Sequence, residues 1–345
     1  MGRLRCFGCG KGFGGSLVSS GRLVIPQRIF GVIGPTAAGK TSLALRLAEL
    51  LGGEIVCCDA LQVRAGLPIL TAKATEAELQ RAPHHLLGIF PCDQPATAAQ
   101  YAQQADLAIA DIARRGRAVI LCGGTGLYLR ALRDGLFAGP GGDPELRSEL
   151  RAQAEREGIS SLHARLVAID PSAAQRIGPT DYVRIERALE VFTLTGRPIS
   201  DWQKDSQVER AQGPRYDIAL LGVDPGPEVL HRRIARRAAA MLDAGLVQEV
   251  RDSLQQDGAL KYPPLGYELV RRHLTGELSL AELQTELAQK TGQYARRQRT
   301  WFRKEPVAYW TPDPERVPIV QLLEVLSAAG PLSSTALADF SQAHA

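Results

Sequence analysis

The chain has 345 residues, enough for a large core divided into two units, and its composition (45% hydrophobic, 23% charged) is that of an ordinary globular protein. It contains no apolar run long enough to span a bilayer as a helix, so no membrane partner is expected. A net charge of +4 permits a nucleic-acid partner without requiring one.

Residues 1–27 are basic and rich in Gly and Ser, and read as a disordered extension. They hold a Cys6-x-x-Cys9 pair, but no second pair follows at zinc-site spacing, which argues against a metal there. The run from residue 28 to 33 reads as a short buried strand. Gly34-Pro35-Thr36-Ala37-Ala38-Gly39-Lys40-Thr41 then fits G-x-x-x-x-G-K-[ST], the phosphate-cradling P-loop. Thr41 to Leu51 reads as a helix, with Leu43, Leu47, Leu50 and Leu51 on one face and Gly52-Gly53 as its stop. Strand, loop and helix N-terminus together make an anion site of backbone N–H groups, to which Lys40 adds charge and Thr41 a hydroxyl able to hold magnesium. Glu54 to Cys58 is a second strand ending at Asp59. A helix from Tyr101 to Arg115 leads to a third strand, Ala118 to Cys122, and then to Gly123-Gly124-Thr125 and another helix. This alternation predicts an α/β fold with a P-loop-type parallel sheet flanked by helices, whose ligands bind beyond the carboxyl ends of the strands. Asp59 and Thr125 are therefore expected to face the P-loop.

A break at residues 139–144 opens a purely helical stretch. Asp143 caps one helix with Pro144 at its first position, Pro171 opens another, and Asp181 caps a third that ends at Gly196. Residues 139–201 are thus expected to form an all-helical insertion, with residues 28–138 and 202–312 as the core. Strand character returns from Tyr216 to Val223, the rest reads as helical to about Lys304, and residues 313–345 read as a weak tail whose last dozen residues are mobile.

Asp59 is the sharpest carboxylate. Beside a P-loop it can hold magnesium or accept a proton from a nucleophile, and its bland alternative is a turn cap. The strand ending at Cys122 lacks the acid by which many P-loop ATPases place magnesium, which weakens a simple ATPase reading. His84 and His85 are adjacent, face different directions, and suit packing or a substrate-loop role better than a metal. The run Arg296 to Lys304 interleaves basic and aromatic residues, and serves equally as an RNA-binding face or as a solvated basic face with Trp301 and Phe302 in the core.

Several ordered motifs narrow this further. After the P-loop come Cys58-Asp59-Ala60-Leu61-Gln62-Val63, Thr71-Ala72-Lys73-Ala74-Thr75, Pro83-His84-His85-Leu86 and Gly123-Gly124-Thr125-Gly126-Leu127-Tyr128. Then follow Arg187-Ala188-Leu189-Glu190-Val191, Thr195 to Ser200, Leu265-Gly266-Tyr267-Glu268, and Tyr294 to Phe302. Over about residues 28–312 this set resembles the bacterial tRNA dimethylallyltransferases. The resemblance implies transfer of a dimethylallyl group from dimethylallyl diphosphate to N6 of adenosine 37, in tRNAs that read codons beginning with U. Magnesium would assist, and a cytoplasmic monomer is implied. The P-loop then cradles a diphosphate rather than driving ATP hydrolysis. By the same resemblance Asp59 is the base, and Lys40, Thr41 and Arg237 stabilise the leaving diphosphate. Contacts to tRNA fall on Asp59, Ala60, Leu61, Gln62, Thr125, Arg147, and the stretch Val183, Arg184, Ile185, Glu186, Arg187. The helical insertion would grip the anticodon stem-loop while the base is extruded toward the donor. Ala60, Arg64 and Leu70 depart from the family's usual Ser, Tyr and Gly. The rival readings are a nucleotide or small-molecule kinase, an enzyme prenylating free adenine nucleotides, and a non-enzymatic RNA-binding ATPase.

Overall fold

The computed structural model describes residues 29–210 and 213–328. The extension with Cys6 and Cys9, and the last dozen residues, lie outside the described residues. The chain begins with β1 (Ile29–Ile33), α1 (Lys40–Leu51), β2 (Glu54–Cys57), α2 (Glu76–Arg81), β3 (His84–His85), α3 (Ala98–Arg114), β4 (Val119–Gly123) and α4 (Gly126–Asp134). Five helices follow: α5 (Pro144–Glu157), α6 (Ile159–Ile169), α7 (Pro171–Arg176), α8 (Tyr182–Thr195) and α9 (Ile199–Arg210). Then come β5 (Ile218–Val223), α10 (Pro227–Asp243), α11 (Leu246–Asp257), α12 (Tyr267–Leu274), α13 (Leu280–Phe302), β6 (Tyr309–Thr311), a 3-10 turn at Pro314–Arg316, and α14 (Ile319–Ala328).

The six strands form one parallel sheet in the order β3-β2-β4-β1-β5-β6. The central strands are apolar along their whole length because helices cover both faces. Phe30 and Val32 face a cluster with Leu43 and Leu47 of α1 and Ile234 of α10. Ile29 and Ile33 face the other cluster, with Tyr101, Ile109, Leu129 and Phe302. Chain order reverses where β4 inserts between β2 and β1, and Ile33 lies in register with Gly123. A crevice at such a reversal is where open α/β sheets bind ligands.

Two edge strands escaped the sequence reading. His84–His85 adds to β2, and Tyr309–Thr311 adds to β5. Both are too short to show a period. The segment after Pro312, read as a weak tail, is ordered structure to residue 328 among the described residues. Leu322 of α14 is fully buried in the cluster with α1, and Arg46 of α1 donates to the Pro314 carbonyl at 2.5 Å.

The helices α5 to α9 share their own core around Leu150, Leu162, Leu166, Ile185 and Leu189. Their starts follow the expected signals. Asp143 accepts from the N–H groups of Glu145 and Leu146, Asp181 from that of Arg184, and Gly196 closes α8 in a left-handed conformation. Helix α9 runs through the boundary expected at residue 201, so the helical elements extend to residue 210. Glu190, fully buried, ties the unit together. It accepts from the Asp143 N–H (2.8 Å), from both ends of the Arg147 guanidinium (2.7 and 2.9 Å) and from Arg187 (2.5 Å). Burial pushes the Glu190 carboxyl up, but the hydrogen bonds from Arg147 and Arg187 outweigh it, and it titrates below its ordinary value.

Two measurements follow from this packing. Leu322→Ala should cost about 2–4 kcal/mol in urea unfolding, since it leaves a cavity between α14 and α1; a change within error would mean that α14 does not contribute to the core. Glu190→Gln should cost about 1–3 kcal/mol at pH 7, a figure discounted because its arginine partners are partly exposed. The carboxyl's folded value lies below its unfolded one, so this stabilisation is present above the ordinary carboxylate range and is lost as pH falls through the folded value. The stability gap between parent and variant should therefore narrow on acidification. A gap independent of pH would contradict the ion-pair account.

Candidate active site

The P-loop leaves β1 through three left-handed or otherwise positive-φ residues: Gly34 (147°), Ala37 (62°) and Gly39 (102°). Gly34 is demanded by space as well as by φ, because a Cβ there would sit 2.2 Å from the Val223 carbonyl oxygen. Gly39 forms the N-cap of α1, so the first N–H groups of that helix point into the loop. The Lys40 ammonium rests on the Pro35 carbonyl at 2.7 Å. Burial pushes its pKa down, opposed first by the Asp59 carboxylate. A cation held at such a cost is suited to an anionic ligand, which would favour its charged form.

Asp59 follows β2, as expected, and is buried to 9% exposure. Its Oδ1 accepts from the Leu61 N–H at 2.9 Å, so one oxygen caps the turn while Oδ2 lies against Gly124, at 3.3 Å from where a Cβ would stand. The capping reading is thus met by one oxygen, and the other faces Gly124. Thr125, at the start of α4, accepts from the Ala60 N–H through Oγ1 at 2.8 Å. Gly123 and Gly124 allow this approach; a Cβ on Gly123 would lie 2.0 Å from the Cys58 carbonyl oxygen.

Arg237 of α10 reaches the P-loop and donates to Thr36 Oγ1 at 3.3 Å. Burial lowers its pKa and Asp59 opposes the shift. A cavity of about 540 Å³ is lined by Thr41, Gln62, Lys73 and Arg237, and on its apolar side by Pro68, Ile69 and Met241. A second, smaller cavity shares Ala72, Arg237 and Met241 with it and opens toward Leu61, Leu70 and Tyr294. Cys57 and Cys122, in register across β2 and β4, line the larger cavity. Burial pushes the Cys122 thiol up to about 12 and raises Cys57 as well, so these are neutral wall groups rather than nucleophiles.

The structure thus brings Lys40, Thr41, Asp59, Gln62, Thr125 and Arg237 to one end of the sheet. It treats others differently. The Gln62 amide donates to the Ala72 carbonyl at 2.7 Å. Arg147 is committed to Glu190, although its side chain remains 42% exposed. Within the stretch expected to touch RNA, Ile185 is fully buried in the helical core, and Glu186 is buried and accepts from the Tyr182 hydroxyl at 2.7 Å. The side chains of Ile185 and Glu186 are therefore not on a docking face, because a helix turns them inward; Val183 (71% exposed) and Arg184 lie outward. For Arg296 to Lys304 the structure shows the packing, with Trp301 half-buried against the core. Phe302 is core and Arg299 pairs with Asp224 at 2.8 Å, while Arg296, Arg297 and Arg303 are exposed. His84 and His85 do pack: their rings meet the Ala82 carbonyl and Glu54 at 2.8 and 2.7 Å.

Sequence reasoning missed Arg233, whose guanidinium donates to the Ala38 carbonyl at 2.8 Å, and it missed Gln298 and Tyr294 as site residues. Arg233 stands in an arginine-rich helix face where no spacing singles it out. Among the described residues no group of three or more His, Cys, Asp or Glu is placed to hold a metal. A magnesium ion fits this site only as one held largely by substrate phosphate oxygens and water, with the Thr41 hydroxyl as protein ligand.

Known proteins resemble the chain closely. A family model described as IPP transferase matches residues 62–305. A tRNA dimethylallyltransferase of Geobacter metallireducens is 48% identical over 300 residues, covering 85% of this chain and 93% of that one. One from Anaeromyxobacter dehalogenans is 48% identical over 290 residues, covering 84% and 96%. The crystal structure of the full-length tRNA isopentenylpyrophosphate transferase of Bacillus halodurans is 31% identical and superposes with a TM-score of 0.61 over 92% of this chain and 99% of that one. A eukaryotic dimethylallyltransferase acting on tRNA, at 24% identity, shares the fold with a TM-score of 0.69. With its P-loop beside Asp59, its Gly-Gly-Thr loop and its helical unit, the chain belongs to the IPP transferase family.

Proposed function

We propose that this protein transfers the dimethylallyl group of dimethylallyl diphosphate to N6 of adenosine 37 in the anticodon loop of tRNAs that read codons beginning with U, and that it does so as a cytoplasmic monomer. The observation that carries this reading is the 540 Å³ cavity whose lining joins Thr41, Lys73 and Arg237 with Pro68, Ile69 and Met241. A short branched hydrocarbon bearing a diphosphate has this polarity. A nucleoside triphosphate would not need the apolar wall, and no acid stands at the end of β4 to place its magnesium. The relatives named tRNA dimethylallyltransferase support the same substrates.

In the reaction N6 attacks C1 of the donor, the C1–O bond breaks, and the electron pair leaves with the diphosphate. The N–H groups of Gly34, Ala37 and Gly39 would surround that diphosphate, those of Thr36 and Ala38 being taken by Gln298 and the Pro35 carbonyl, with Lys40, Thr41 and Arg237 opposing the charge that develops on it. Magnesium, when bound, neutralises part of the same charge. Asp59 accepts the proton of N6 through Oδ2, the oxygen not engaged by Leu61. The extruded adenine would enter along Asp59, Ala60, Leu61 and Thr125, and the anticodon arm would rest on the outward side of the helical unit near Val183, Arg184, Arg187 and Arg147.

The decisive assay mixes protein, magnesium and dimethylallyl diphosphate with unmodified tRNA, then digests the RNA and weighs its nucleosides. A gain of one dimethylallyl group on adenosine 37 is expected. Product from AMP but not from tRNA would point instead to the free-nucleotide enzyme, and phosphate transfer from ATP alone to a kinase. Asp59→Asn, which keeps the acceptor for the Leu61 N–H, should lower kcat about 10²- to 10⁴-fold with little change in donor affinity. Weakened donor binding at normal turnover would remove Asp59 from the role of base. Lys40→Ala should mainly raise the KM for the donor, and full activity in that variant would exclude Lys40 from the diphosphate site.

A further inference from the structure

One buried side chain joins the two halves of the site, and no role above uses it. Gln298 of α13 is 5% exposed. Its Oε1 accepts from the Thr36 N–H of the P-loop at 2.8 Å, and its Nε2 donates to the Gly124 carbonyl beyond β4, also at 2.8 Å. One contact needs an acceptor and the other a donor, and the carboxamide satisfies both in one orientation. Space enforces the same arrangement. A Cβ at Gly124 would stand 2.3 Å from Nε2, which explains glycine there. One turn earlier on the same helix face, Tyr294 lies beside Gln298 and Thr125. Thr125 in turn holds the Ala60 N–H, the peptide next to Asp59.

These contacts form a continuous strut: Thr36, Gln298, Gly124 and, at the next residue of that loop, Thr125 with Ala60. We propose that Gln298 is a positioning residue that keeps the P-loop and the Gly124–Thr125 loop in one register, so that an anion bound at residues 34–41 is felt at residues 123–125. The inference rests on the reading of the P-loop as the donor's diphosphate cradle. It makes the alignment of donor and base a property of one amide. A misplacement of about 1 Å between reacting groups can cost on the order of 100-fold in rate.

Hydrogen exchange followed by mass spectrometry on the full-length protein tests it, with inorganic pyrophosphate and magnesium as probe. Slower exchange is expected in peptides covering 34–41 and also in those covering 119–128. Protection of 34–41 without any change at 119–128 overturns the proposal and leaves the donor site intact. No protection at 34–41 overturns the donor reading itself, and the proposal with it. Gln298→Met, close in shape but without either hydrogen bond, should keep pyrophosphate and tRNA affinities within about threefold of the parent while kcat falls about 10- to 100-fold, and protection at 119–128 should vanish. Gln298→Glu keeps the acceptor for Thr36 but turns an oxygen toward the Gly124 carbonyl, and should show the same uncoupling. A folded variant of either kind with parental kcat and parental protection at 119–128 refutes the strut. A merely structural residue would lower the melting temperature without separating kcat from binding.

Discussion

Close backbone approach at the carboxyl ends of neighbouring parallel strands is the constraint on which the site depends. Gly34 after β1 lies against the Val223 carbonyl of β5, and Gly123 at the end of β4 lies against the Cys58 carbonyl after β2. Any Cβ at either position would overlap an oxygen by more than 1 Å of ordinary contact distance. Four strand ends can therefore converge only because two of them end in glycine. That convergence places the P-loop beside the carboxylate and the hydroxyl of Asp59 and Thr125.

Electrostatics follow from this geometry. Lys40, Arg237 and Asp59 are drawn into one partly desolvated place, and the burial that lowers the pKa of both cations also raises the worth of an incoming anion. Asp59 acts on both cations, joined at Arg237 by the more distant Glu78. The neighbouring thiols stay neutral, so the cavity wall beneath the loop is apolar. The cavity is lined by both kinds of group, Thr41, Gln62, Lys73 and Arg237 among the polar and Pro68, Ile69 and Met241 among the apolar.

The helical unit is built on a different principle. Its core is apolar, but Glu190 fastens the start of α5 to α8 through Arg147, Arg187 and the Asp143 N–H. Arg147 thus serves the unit's own architecture while its exposed part faces solvent, and an RNA phosphate there would share the guanidinium with Glu190. The outward face of α8 carries Val183 and Arg184, while Ile185 and Glu186 are consumed by packing. In such a unit the contact surface and the scaffold are interleaved residue by residue along one helix.

Much of this was readable from local signals. The P-loop, the cap at Asp143, the stop at Gly196, the strands around Ile33, Val56, Ile120 and Leu221, and the place of Asp59 at a strand end all rest on residues within a few positions of each other. The ordered motifs also identified the family. The β3 and β6 edges and helix α14 were not readable, because two- and three-residue strands have no period and α14 is fixed by α1, about 270 residues away in sequence. Gln298 looked like one more polar residue in a basic helix. It lies 262 residues from Thr36 and 174 from Gly124. Sequence by itself determined which chemical groups are present and which local shapes hold them, because caps, glycine turns and strand patterns are set by neighbours along the chain. Tertiary structure alone decided which of them meet, which arginines are spent on Glu190 and Asp224, and which amide joins the two loops, because those contacts are selected by packing between distant segments.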